Sequence, residues 1–143
     1  MWSCEAWTLT DARKSKLEVF ENGVLRRILG PVYGEEEGGY RRRHNLEIRE
    51  ITGQIKLQNE VIVRRLRWAG HCVRMEEDRA PGKILRGQVQ GGRRLPGRPR
   101  YRWNDNIKKD IGDEINDPAQ WQDMARHREQ WRGLVLAVMG HLT

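Results

Sequence analysis

A chain of 143 residues is long enough for one domain or two small subdomains. Hydrophobic content of 37% and a mean hydropathy of −0.85 argue against a large two-layer sheet, while six tryptophans supply enough area for a small helical core. Two distant cysteines, no run near the ~18 apolar residues of a membrane span and no apolar core in residues 1–5 argue against a disulfide scaffold, a membrane span and a signal peptide; the expected location is intracellular, nuclear or cytoplasmic.

In chain order, residues 1–10 alternate with a period near two and read as a short strand or lead-in. Thr10 then caps a helix over 11–29, whose stripe of Leu17, Phe20, Val24, Leu25 and Ile28 is the expected core face. Arg26 and Arg27 suit the negative end of its dipole, Asn22-Gly23 is its weak point, and Gly30-Pro31 stops it. Residues 32–40 read as a loop, with Glu35-Glu36-Glu37 and then Arg41-Arg42-Arg43 as solvated charge. Asn45 caps a short helix over 46–52 that Gly53 ends.

The next helix spans 54–75. Ile62, Leu66, Ala69 and Val73 lie on one face, Trp68 and Cys72 along its edge, and Arg64, Arg65, Arg67 and Arg74 around the rest, most simply as a solvated face with phosphate contact as the alternative. Gly70 marks a place of close packing against another backbone, since a helical glycine costs about 1 kcal/mol relative to alanine. Residues 83–89 read as a brief strand. Trp103, Ile107 and Ile111 define a short helix capped by Asn104 or Asp105, and Asp117-Pro118 opens a last helix with Trp121, Met124, Ala125, Trp131, Leu134, Val135 and Val138 on its apolar side. The fold class is mostly α: a small multi-helix domain with an extended Gly/Pro/Arg-rich arm and one or two short strands. Three segments follow, a lead-in and helical subdomain (1–75), a basic arm (76–102) and a C-terminal helical pair (103–143).

The arm is the chemical centre of the chain. Residues 79–103 hold eight of the 27 Lys/Arg residues and no Asp or Glu. The formal charge of +7 is therefore local, and the rest of the chain is close to neutral. Gly91, Gly92, Pro96, Gly97 and Pro99 oppose a helix through its middle. An extended backbone carrying guanidiniums suits a polyanion, because the planar arginine fork pairs with phosphate oxygens and stacks on bases. The competing reading is a solvated basic loop. Pro96-Gly97-Arg98-Pro99-Arg100 is near an AT-hook but lacks the arginine before its glycine.

Sites for catalysis do not assemble. His44, His71, His127, His141 and the cysteines lack paired zinc spacings, Ser3 and Ser15 sit in no nucleophile elbow, and no phosphate loop or adjacent aspartate pair occurs. The sequence implies no metal, no cofactor and no enzyme in the chain by itself.

Six blocks in order carry a family resemblance. They are Cys4-Glu5-Ala6-Trp7-Thr8-Leu9-Thr10; Leu25-Arg26-Arg27-Ile28-Leu29-Gly30; Glu47-Ile48-Arg49 with Thr52-Gly53; Arg64-Arg65-Leu66-Arg67-Trp68-Ala69-Gly70-His71 with Arg74-Met75; Gly97-Arg98-Pro99-Arg100 with Trp103 and Asp105; and Arg128 with Trp131-Arg132. Together they resemble the region downstream of the catalytic palm in reverse transcriptases of non-LTR (LINE-like) retrotransposons. The resemblance implies a parent polyprotein with an endonuclease and an RNA-directed DNA polymerase. The palm's Asp-Asp motif and the family's C-terminal zinc knuckle have no counterpart in this sequence, which reads as a truncated piece or a domesticated remnant. In the parent, thumb-like and connecting helices grip template-primer or target DNA.

The expected function is non-catalytic binding of RNA, DNA or a hybrid, with the upstream palm as a further partner. Arg93, Arg94, Arg98, Arg100 and Arg102 are the phosphate contacts, supported by Arg64, Arg65, Arg67, Lys108 and Lys109. Tyr101 or Trp103 would stack on a base, although Ile107 and Ile111 continue the Trp103 stripe and favour core packing for it. The alternatives are a module that docks an acidic partner, and an element remnant without function.

Overall fold

The computed structural model describes residues 3–36, 38–76, 78–86, 102–115, 117 and 120–142. It is mostly helical, as expected: α1 (Asp11–Leu29), α2 (Asn45–Thr52), α3 (Leu57–Val73), α4 (Ala80–Arg86), α5 (Trp103–Ile111), α6 (Trp121–Arg126) and α7 (Arg128–Leu142), with one antiparallel hairpin of β1 (Val32–Gly34) and β2 (Gly39–Arg41). Two compact units divide within α3, one of residues 9–60 and one of residues 1–8 and 61–143. Packing thus groups α3 from Val61 onward with the C-terminal helices.

In the unit of residues 9–60, α1 packs on α2. The face it turns inward is rotated from the expected stripe, of which Leu25 is buried and Leu17 half-buried. Asn22 and Leu25 are buried, whereas Phe20 (65% exposed), Val24 (39%) and Ile28 (73%) face outward. The reason is electrostatic. Glu21 receives both Nη atoms of Arg49 at 3.0 and 2.9 Å and the Leu57 amide at 3.1 Å, which ties α1 to α2 and to the first turn of α3. Burial alone would raise the Glu21 pKa, but the Arg49 hydrogen bond, the Leu57 amide and the charges of Arg49 and Lys56 outweigh it, so the carboxyl titrates below its usual 4.5.

The expected loop after Pro31 contains the hairpin, with Tyr33 opposite Tyr40 and their rings edge-to-face at 5.5 Å. Arg41 at its base bonds both oxygens of Glu47, at 2.6 and 3.1 Å, and Glu47 also accepts the His44 amide at 3.1 Å. His44, one residue before the expected Asn45, is therefore the N-cap of α2. The Arg41 hydrogen bonds are the main reason that the Glu47 pKa falls to about 2. Gly53, at φ 56°, ends α2 in the left-handed conformation as expected.

In the other unit the core is one cluster. α3 gives Ile62, Val63, Leu66 and Ala69; α5 gives Ile107 and Ile111; α6 gives Trp121 and Ala125; α7 gives Trp131, Leu134, Val135 and Val138. Three local expectations are corrected here. Cys4–Ala6 forms a 3-10 turn with a buried Cys4, not a strand. Residues 83–86 belong to α4, not to a strand, and 87–89 lie outside the described residues. The last helix is two, broken at an extended His127 whose carbonyl accepts the Trp131 amide. On one unbroken helix Trp121 and Trp131 would point about 80° apart; the break lets their rings meet at 5.8 Å.

Candidate nucleic-acid interface

Helix α3 presents two opposite faces because apolar residues recur on one side and cations on the other. Arg64, Arg67, His71 and Arg74 follow one another at spacings of three and four, and all are exposed. Trp68 lies beside them with its ring 5.3 Å from His71. Arg74, one residue past the helix, donates to the Ala125 carbonyl at 2.6 Å and is oriented by it.

Arg65 is the exception and corrects the expected contact set. It is 1% exposed, and its Nη1 pairs with the Asp110 carboxylate of α5. A guanidinium enclosed between two helices reaches no phosphate, so Arg65 is a tie and not a contact. Its Nε and Nη2 are buried without a hydrogen-bond partner among the described residues. The sequence showed four arginines around the helix; what it did not show was that an aspartate 45 residues on would meet one of them.

Lys108 and Lys109 are exposed in the last turn of α5, where the helix dipole favours cations. Arg102 is exposed just before that helix. Its amide donates to Asp105 at 3.1 Å, and its carbonyl accepts Asn106 Nδ2 at 2.9 Å. Asp105 is thus the anchor of the α5 start, and it holds the point where the arm enters the helix. Trp103 is half-buried against the core, and its indole N–H donates to the Glu5 carbonyl at 2.9 Å. Those contacts fit the packing role for Trp103. Arg93, Arg94, Arg98, Arg100 and Tyr101 lie outside the described residues.

A second concentration of cations forms in the unit of residues 9–60. Arg26 and Arg27 on α1 and the run Arg41-Arg42-Arg43 line one open hollow of about 490 Å³ together with Tyr40. The arginine triplet was the sequence signal for it, but the turn that brings the triplet back to α1 depends on the three-residue strands, too short to show a period.

Among the described residues no three His, Cys, Asp or Glu side chains gather as metal ligands, and no helix is long and apolar enough to cross a membrane. Burial pushes the Cys72 thiol pKa up, which makes it a poor nucleophile.

No family model and no solved structure matches the chain. A protein of Caenorhabditis elegans named as uncharacterized and transposon-derived is 26% identical over 137 residues, which is 94% of this chain. The chain spans 48% of that relative's length. Similarity along nearly all of its residues supports a transposon-related origin for the chain.

Proposed function

We propose that the chain is a non-catalytic nucleic-acid-binding segment of a retrotransposon polyprotein, equivalent to the region behind the reverse-transcriptase palm of non-LTR elements. The observation that carries this reading is the run of eight cations without an acid in residues 79–103, inside a chain aligned over 94% of its length with a transposon-derived protein. Arg93, Arg94, Arg98, Arg100 and Arg102 hold template-primer or target phosphates, and Arg64, Arg67, Lys108 and Lys109 extend the positive surface. Tyr101 is the stacking residue, since the Trp103 ring is held against the core. Chemistry belongs to the parent's polymerase and endonuclease; this segment supplies grip.

An Arg98→Ala/Arg100→Ala variant tests the assignment. On duplex DNA each phosphate contact contributes about −0.9 to the slope of log K against log salt. The double variant flattens that slope by about two units if both residues contact phosphate. An unchanged slope removes the arm from the interface.

The exposed Phe20, Val24 and Ile28 favour a second reading, in which α1 docks on another part of a longer polypeptide. A Phe20→Ser/Ile28→Ser variant that loses binding to purified upstream polypeptide, with its RNA affinity intact, would select it.

A further inference from the structure

We infer that the arginine-lined hollow in residues 9–60 is a second contact for single-stranded nucleic acid, holding backbone phosphates through arginine and one base through Tyr40. The inference rests on the reading of the chain as a nucleic-acid-binding segment, but on residues far in sequence from the arm.

Five guanidiniums around one hollow repel one another, so their arrangement needs a cause. Bonds within the fold provide it for three. Arg26 Nε donates to the Arg43 carbonyl at 3.0 Å, and its Nη2 bonds Asn45 Oδ1. Arg43 Nε donates to the Gly30 carbonyl at 3.1 Å, and Arg41 is fixed by Glu47. Carbonyl and amide acceptors orient Arg26 and Arg43 but leave their charge whole. Arg27 and Arg42 are exposed and make no ion pair among the described residues. The hollow thus presents oriented guanidinium forks beside two that are available, and among the described residues only Arg41 has its charge matched by the carboxylate that fixes it. Such a site is complementary to an anion with several oxygens.

The hairpin holds Glu35 and Glu36 away from this charge. Arg41 stands at the Val32 end of the ladder, and Glu35 and Glu36 lie beyond the Gly34–Gly39 pair at the other end. Tyr40 lines the hollow, is 78% exposed, and is braced edge-to-face by Tyr33. A braced, exposed aromatic ring beside oriented arginines is the pairing that single-strand binders use, because the ring stacks on an unpaired base while the cations follow the backbone. A purely acidic peptide would use the arginines and leave the ring without a role.

The full-length chain tests this with labelled single-stranded RNA across a salt series, in the wild type and three variants. Arg27→Ala/Arg42→Ala removes two contacts outside the fold's own bonds and flattens the slope by about 1.4 units, at about 0.7 per contact on a single strand. Tyr40→Ala leaves the slope unchanged and weakens binding by about tenfold. Arg98→Ala/Arg100→Ala reports on the arm alone. If the arm variant flattens the slope and the Arg27/Arg42 variant does not, the hollow is no contact while the arm reading stands. If only the Arg27/Arg42 variant flattens it, the hollow stands and the arm falls. Should a poly-glutamate peptide bind the wild type as tightly as RNA and lose as much on Tyr40→Ala, the site is a protein-docking surface and the inference is overturned. A photocrosslink from 4-thiouridine RNA to Tyr40 is the expected independent sign; crosslinks confined to other residues would count against it.

Discussion

Gly70 shows how one missing carbon organises the core of its unit. A Cβ there would stand 2.3 Å from Trp131 Cδ1 and Nε1. That indole cannot step aside cheaply, because it is buried and donates to the Leu66 carbonyl at 2.9 Å. Gly70→Ala therefore sets a helix-propensity gain of about 1 kcal/mol against overpacking of roughly 1–3 kcal/mol and a strained hydrogen bond. The expected outcome is a net loss of about 2 kcal/mol in urea unfolding followed by tryptophan fluorescence; a variant as stable as the parent would show that Trp131 has room to move. The sequence marked Gly70 as a place of close approach, which it is. It named the wrong neighbour, since nothing local pairs residue 70 with a side chain 61 positions later.

Two carboxylates give residues 9–60 a defined response to acid. The Glu47 pKa is lowered to about 2 and that of Glu21 lies below 4.5. A carboxyl whose pKa falls on folding stabilises the fold above its unfolded value and loses that contribution as pH drops toward the folded one. Stability should hold down to about pH 5 and then decline between about 4.5 and 2. Urea midpoints across that range check this, with Glu21→Gln lowering the neutral-pH midpoint and shrinking the acid-induced change. A midpoint flat to pH 2 would mean that the Arg41 and Arg49 pairs contribute nothing.

At the scale of elements, the rotated α1 and the α3–α5 tie share a cause. Periodicity places apolar residues inside, but a charge with a well-placed partner can take the inward position. Glu21 with Arg49 does so on α1, and Arg65 with Asp110 does so between α3 and α5. Asp110→Ala leaves a buried guanidinium unpaired and should cost about 3–5 kcal/mol. The joint replacement Arg65→Met/Asp110→Leu should restore most of that loss, measured as a double-mutant cycle. Equal losses in the single and joint variants would mean that the pair's charges are not the issue. Helix existence was legible because α3, α5 and α7 carry apolar residues at helical spacing, although their ends were not all read correctly. The hairpin was not, since three residues per strand show no period, and the break at His127 depends on a Trp121–Trp131 contact that only the folded chain reveals.

At the scale of the whole molecule, the concentration of charge was the clearest functional signal in the sequence. Eight cations without an acid in 25 residues need no structure to be seen. Which of the other cations are presented did need it: Arg64, Arg67, Lys108 and Lys109 are exposed, while Arg65 is internal. The similarity to a protein named as transposon-derived supports a transposon-related origin, and holding nucleic acid is the role proposed for the segment. Fluorescence anisotropy of the full chain with duplex DNA, single-stranded RNA and an RNA–DNA hybrid across a salt series tests that claim most directly. The expected result is submicromolar binding, strongest for RNA or the hybrid, with a duplex slope of about −4.5 for five arm contacts. Weak binding of equal strength to all three and to poly-glutamate would contradict it.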